Sequence, residues 1–508
     1  MSATPDGYLG AEGRITSGPA PEMVAAGYAR EVADAPLLHR GLGLADLAHV
    51  IALHKAGVVP EQAAARLAAE LLTILDIPAA EFPYDPVYGD AYNSREHELE
   101  RRLGPTAGWL HTGRTRREAG RIAFRLALRD RLLGLHEVVE RFVGALARQA
   151  LAHANTVWAD NTYLQPAQPS TFGHYLGGFG EEAIRHLDRV ETAFTLADRS
   201  PAGVGGVGGP RVPLDRDHLA ELLGFAEVGA HTRDIMWSVD SFTDAVLAAV
   251  MAATTADRLA EDLEIFTSPG FGYVTVHPSL CRASVLMPQK RNPYALAVIR
   301  SGANTLIGRA TGLLATGRTP SARTDNWLHT YREVTEAVEQ SRQLVALAAE
   351  TVRTVQVDRQ AMARVAGAHF TGAADLAEEL VLRCGLDYRT AYRAVGRAVA
   401  RAIAVGRTTI TADDLNRAAE EIAGKPLEVG EDLVRDALDP SRIVSTRTVP
   451  GGSAPDRVRE HARRLRERTQ AAEQWRERQR DRIGETEQRL LAAARVVASR
   501  NNGQPLPS

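Results

Sequence analysis

The stretch RTRREAGRIAFRLALRDRLLGLHEVVERFVGALARQALAHAN, residues 114–155, decides the fold. Its apolar side chains Ile122, Phe124, Leu126, Leu128, Leu132, Leu133, Leu135, Val138, Val139, Phe142, Val143, Leu146 and Leu151 recur largely at i, i+3 and i+4, with Arg and Glu between them. That spacing lays an apolar stripe along an α-helix. No proline interrupts the run, so it predicts one helix far longer than the usual dozen or so residues. Similar long patterns follow at 172–198, 232–265, 294–316 and 327–355. Long helices in succession bury their stripes against one another, and the expected fold class is all-α, with an elongated central helical bundle.

Around this bundle the patterns shorten. Residues 21–31, 43–56 and 60–75 read as short helices separated by Gly/Pro turns, and 373–384 and 388–405 do so again. Pro450-Gly451-Gly452 marks a hinge before a final Arg/Glu-rich helix. The implied division is an N-terminal helical domain at 1–112, the central bundle at 113–360, a C-terminal helical domain at 361–450, and the Arg-rich helix with its tail at 451–508. Strand signals are few, the clearest at 272–276.

Composition narrows the function classes. With 508 residues, the chain is long enough for more than one core. Its two cysteines, Cys281 and Cys384, stand far apart in no Cys/His cluster, which points to a reducing compartment and away from a structural metal. A formal charge of -3 lacks the footprint of a dedicated nucleic-acid binder. No stretch reaches the roughly 20 apolar residues of a membrane span, and residues 1–18 carry no apolar leader core. The expectation is a soluble cytoplasmic protein without nucleic-acid or membrane partners. Only Lys55, Lys290 and Lys425 are lysines among 60 basic residues, so a lysine is worth notice.

Gly203-Val204-Gly205-Gly206-Val207-Gly208 matches the dinucleotide-binding G-x-G-x-x-G spacing. The context is wrong, because a helix precedes it and Pro210-Arg211-Val212-Pro213 follows, where that fingerprint needs a strand before and a helix after. The segment reads instead as a tight connection between helices, needing positive φ.

Three stretches carry candidate chemistry. In 284–293, SVLMPQKRNP, Asn292-Pro293 reads as a helix start that delivers Lys290 beside free N–H groups, an anion site; an ordinary loop entering a helix is the other reading. In 110–118, LHTGRTRRE, three arginines open the long helix, where like charges oppose its dipole unless an anion is present. The alternative there is a solvated basic turn paired with Glu118 and Glu100. The third, 161–174, NTYLQPAQPSTFGH, is by itself a polar connector ending at a helix start with Ser170 as its cap.

Taken together, L-H-T-G-R-[ST]-R, T-x-L-Q-x-A-Q-P-x-T-F-G-H and S-x-L-M-P-Q-K-x-N-P, in that order, resemble argininosuccinate lyase and the wider fumarase/aspartase superfamily over roughly residues 20–450. The resemblance implies a homotetramer with each active site shared between three subunits. It also implies β-elimination from a succinyl group that releases fumarate, with no cofactor and no metal. Proton loss beside a carboxylate makes a dianionic intermediate, which needs preorganised cations and N–H donors. On the matching positions Ser284 is the catalytic base, Lys290 and Asn292 bind substrate carboxylates, and Arg114, Thr115, Arg116, Thr162 and Gln165 complete the anion cage.

The departures bear on the substrate. The family's His and its paired Glu are replaced by Tyr163 and Ala297, its Asn-Asp by Arg117-Glu118, and its second signature Ser by Val285. Tyr163 is then either a general acid for the leaving group or a space filler. The leading expectation is a C–N lyase acting on an N-substituted succinate other than argininosuccinate. A carboxymuconate-type tricarboxylate enzyme and a catalytically silent structural relative are the alternatives. Cys281 reads as a plain buried thiol, and the Arg-rich helix as a salt-bridged packing element.

Overall fold

The computed structural model describes residues 17–318, 322–323, 330–424 and 427–500. Lys425 and the start of the 327–355 pattern therefore lie outside the described residues.

The long apolar stripe forms α4 (Arg116–Ala152), preceded by α1 (Ala35–Lys55), α2 (Glu61–Leu75) and α3 (Ala91–Leu103). A two-stranded hairpin, β1 (Val157–Thr162) and β2 (Gln165–Thr171), leads into α5 (Phe172–Ala197), and α6 (Arg216–Leu222) follows. The bundle continues with α7 (Asp240–Thr267), the paired strands β3 (Arg282–Ala283) and β4 (Arg291–Asn292), α8 (Tyr294–Thr316) and α9 (Thr330–Thr354). Next come α10 (Ala373–Cys384), α11 (Tyr388–Ala404), α12 (Ala412–Ala423) and α13 (Glu431–Leu438), and finally α14 (Pro455–Ser499). The all-α expectation holds.

Helix α4 is the axis of the molecule, packed by α5, α9, α1 and α14, while α7 fills the gap between α5, α8 and α9. Phe124, Phe142, Phe242, Leu296 and Val338 are buried in this central core. The ring of Phe124 stacks on Tyr331 with centroids 4.1 Å apart and meets Phe242 edge-on at 4.8 Å. Separate cores lie under α1 and α2 and among α10 to α13. The last helix joins two of them, giving Ala462 and Leu465 to the bundle core and Leu490 and Ala494 to the N-terminal one. It is pinned by Arg476 on Glu140 at 2.8 Å and Arg482 on Asp198 at 2.5 Å.

The arginines between the apolar positions of α4 are not all solvated. Arg121, Arg125 and Arg129 are buried at i, i+4 spacing on one side of the helix. Each donates to carbonyls where another helix ends: Arg121 to Met236 at 3.0 Å, Arg125 to Leu196 at 2.8 Å, and Arg129 to Gly224 at 2.6 Å. Terminal carbonyls lack intrahelical partners, and a planar guanidinium reaches several of them at once.

Local expectations needed three corrections. The 232–265 pattern is two helices, because Ser238 turns extended (ψ 146°) after the short helix Thr232–Trp237 and its hydroxyl bonds the Asp240 carboxylate. The connector at 161–174 is largely strand. Its polar alternation and the prolines at 166 and 169 hide this, since proline in a strand argues for an edge, and the register breaks between Asp160 and Asn161 just where Pro166 enters. The cap of α5 is Thr171, whose hydroxyl accepts from the His174 amide at 3.1 Å, and not Ser170.

The glycine-rich segment is a tight connection as expected, with positive φ at Gly203, Gly205 and Gly209, although it leads to the short α6 and not to a long helix.

Candidate active site

At the N-terminal end of α4, Thr115 caps the helix by accepting from the Glu118 amide at 3.3 Å. The three arginines here find their anions inside the protein. Arg114 is only 4 % exposed and spends its guanidinium on Asp46 at 2.5 Å, the Ala45 carbonyl at 3.0 Å and the Tyr92 hydroxyl at 3.0 Å. That corrects its expected place in the anion cage: it holds the turn to α1, and no nitrogen is left facing solvent. Arg116 reaches Asp90 at 3.3 Å, and Arg117 reaches Glu31 at 2.5 Å. The pairing with Glu100 does not form. Acids scattered through 31–90 do this work, and their only sequence signal was Asp90, the N-cap of α3.

A small cleft of about 40 Å³ opens beside these residues, lined by Glu31, Asp34, Asp90, Arg116, Arg117 and Tyr331 among others. Burial pushes the Asp34 carboxyl up to about 7 despite Arg332. Glu118, buried beneath Thr115, is likewise raised to about 7 by burial, against the pull of Arg114. Thr115 and Arg116 remain partly open to solvent.

At the other end of α4, Tyr163 and Leu164 form the two-residue tip between Thr162 and Gln165. Both have positive φ, 55° and 58°, the combination a type I′ hairpin turn requires and Asn-Gly usually supplies. Non-glycine residues held there store strain. The tip leaves Tyr163 98 % exposed, with Thr162 and Gln165 exposed at its base.

The Ser284–Lys290 loop is closed at its base by the pairing of Arg282 with Asn292 and Ala283 with Arg291. Inside it Ser284 Oγ accepts from the Met287 amide at 3.0 Å, and the Lys290 amide bonds the Met287 carbonyl at 3.0 Å. Lys290 is exposed. Asn292 does not cap α8, as expected from sequence; the helix begins at Tyr294 without a side-chain cap, and the Asn292 amide donates to the Arg282 carbonyl at 3.1 Å. Asparagine here seals the neck of the loop. Cys281 lies at that neck, half-buried and free, 3.3 Å from Arg291 Nε.

Within one chain these groups do not all meet. Gln149, near the end of α4, bonds the Val352 carbonyl near the end of α9, and Trp158 of β1 packs on Phe266 and Tyr273. The hairpin and the Ser284 loop thus rise from the same end of the bundle. Thr115 and Arg116 sit at the opposite end of a 37-residue helix, about 55 Å away at 1.5 Å per residue.

The sequence matches a family described as Lyase over residues 16–308 and one described as Argininosuccinate lyase C-terminal over 370–445. It is 30% identical to the argininosuccinate lyase of Methanothermobacter thermautotrophicus over 82% of this chain and 89% of that one. Against argininosuccinate lyase 1 of Mesorhizobium japonicum the identity is 32%, covering 90% and 97%. The fold is similar to that of EDDS lyase in complex with formate, with a TM-score of 0.83 at 24% identity over 96% and 97% of the two chains.

Proposed function

The chain belongs to the argininosuccinate lyase family of the fumarase/aspartase superfamily, and from that premise we propose that it removes an amine from an N-substituted succinate other than argininosuccinate, releasing fumarate. That it is a carbon–nitrogen lyase follows from the family. The chemistry is supported by the Ser284 loop, which presents a hydroxyl and an ammonium on one sealed turn at the end of the bundle, and the narrower reading by Tyr163 and Ala297, which stand where the family has its His and paired Glu.

Ser284 Oγ, as the alkoxide favoured by the surrounding positive charge, takes the proton from the carbon next to the carboxylate and becomes the neutral hydroxyl, and the electron pair moves into that carboxylate to give the dianion. Lys290 and Asn292 hold one end of it. Thr162 and Gln165 are offered by a hairpin, and Thr115 and Arg116 by the first turn of α4. Collapse of the dianion expels the amine, which takes a proton as it leaves, and Tyr163 stands at the hairpin tip as its donor. A phenol is a weak match for the His of the family and Ala297 gives it no carboxylate partner, so the leaving group differs from that of argininosuccinate.

Because the roughly 55 Å length of α4 lies between Thr115 and the end of the bundle that carries the Ser284 loop, a complete site needs residues from more than one copy, and we read the working form as a homotetramer. Helix α8 supports this: its exposed positions Ala297, Ser301, Ile307, Thr311 and Leu314 carry no charge, and its two arginines, Arg300 and Arg309, are turned to Glu264 and Glu336 of the neighbouring helices.

The test is fumarate absorbance from a panel of N-succinyl amines and amino acids, argininosuccinate included, with Ser284→Ala alongside. Release from at least one panel member, abolished in S284A, is expected. No release from any, or equal activity in the variant, overturns the reading.

A further inference from the structure

The glycine-rich segment left unassigned by the sequence lies directly over the first turn of α4. Glu118 Oε1 accepts from the Gly203 amide at 2.7 Å, and the Gly205 amide turns to the same carboxylate. Thr115 Oγ1 meets the Gly205 carbonyl at 3.5 Å, and a Cβ on Gly206 would stand 3.8 Å from the Thr115 methyl. The far side of the segment is fixed too: the Trp237 indole donates to the Gly206 carbonyl at 3.0 Å and Thr232 to that of Val207 at 2.8 Å. Glu118 is 1 % exposed, and its Oε2 has no hydrogen-bond partner among the described residues. A carboxylate in such a place is costly unless its hydrogen bonds do something.

We propose that Glu118 is a positioning residue: by gathering the Gly203 and Gly205 amides it ties the glycine-rich segment to the start of α4 and so fixes Thr115 and Arg116 for substrate carboxylate. This rests on the reading of Thr115 and Arg116 as substrate binders given above. The geometry explains the glycines, since Gly203 and Gly205 hold φ of 76° and 62° to aim their amides at one carboxylate. It also explains the acid. Glutamine keeps one acceptor but turns an N–H toward the second amide, whereas aspartate, which the family carries at this position, keeps both acceptors on a shorter stem.

The experiment measures fumarate binding by calorimetry at pH 8, above the Glu118 value of about 7, for the wild type, Glu118→Asp, Glu118→Gln and Glu118→Ala, with circular dichroism and light scattering as controls. Steady-state KM and kcat are then taken on whichever panel member the wild type cleaves. Expected is about a tenfold or greater loss of fumarate affinity in E118Q, a matching rise in KM with kcat changed less than KM, and recovery to within about threefold in E118D. A role in stability alone lowers the folded fraction and apparent kcat while leaving Kd and KM in place, and that outcome overturns the proposal. So does an unaltered Kd in a folded E118Q; E118Q decides the matter if E118A does not fold. A wild type that binds no fumarate and cleaves no panel member instead removes the functional reading, and the proposal with it. Fumarate release with Glu118-independent binding removes the proposal alone.

Discussion

The side-chain amide of Gln149 donates to the carbonyl of Val352 at 2.9 Å, joining the C-terminal ends of two bundle helices that run side by side. Because α4 continues unbroken from there back to Arg116, Thr115 and Arg116 stand a full helix length from the end of the bundle where this contact lies. Two inactive variants, Ser284→Ala and Arg116→Ala, are therefore expected to complement each other. Unfolded together and refolded as mixed oligomers, they regain part of the wild-type fumarate release, while each refolded alone does not. Absence of recovery in verified mixed oligomers rejects the shared site.

Removing the base or the cation affects chemistry more than folding, since both stand on an exposed loop. Ser284→Ala is expected to lower kcat by about 10²–10⁴-fold and Lys290→Met by about 10²–10³-fold, with thermal melting unchanged within a degree or two. A large drop in melting temperature shows instead that the loop supports the fold.

Asp46 is fully buried between Arg114 at 2.5 Å and Arg95 at 3.2 Å. Asp46→Ala leaves two buried guanidinium groups uncompensated, and a loss of about 3–5 kcal/mol is expected in denaturant unfolding. A loss below about 1 kcal/mol shows that the site admits water or relaxes.

The pH dependence of Glu118 has a definite sign. Its folded pKa of about 7 lies above the ordinary glutamate value of 4.5, so the unfolded chain releases this proton first. Its contribution is greatest below the unfolded value and falls as pH rises from about 4.5 to 7, by about 1.4 kcal/mol per unit. Stability of the wild type minus that of Glu118→Gln, measured at pH 5, 6, 7 and 8, is expected to shift in favour of Gln up to pH 7 and then level off. A flat difference excludes a proton held there.

Leu164 at φ 58° sits where glycine is easier by about 1 kcal/mol or more. Leu164→Gly is expected to raise the unfolding midpoint slightly. If Tyr163 protonates the leaving group, kcat falls as the tip loosens; a variant that melts lower refutes the strain.

The helices, their order and the three motif stretches were legible because each rests on local periodicity or spacing: a 3.6-residue stripe marks α4 wherever it packs. The same local reasoning missed the hairpin tipped by Tyr163, since its prolines argue against a strand and only its pairing partner shows one. It also made Asn292 the cap of α8, a position that Pro293 occupies. Tertiary structure alone decided what the arginines do. Composition gives Arg114, Arg121 and Arg116 the same charge, but whether a guanidinium meets Asp46, the end of another helix or a half-buried Asp90 depends on what distant segments bring to it. The separation of Thr115 from Ser284 is the same kind of fact. The chain writes both motifs plainly, and the straightness of one uninterrupted helix keeps them apart.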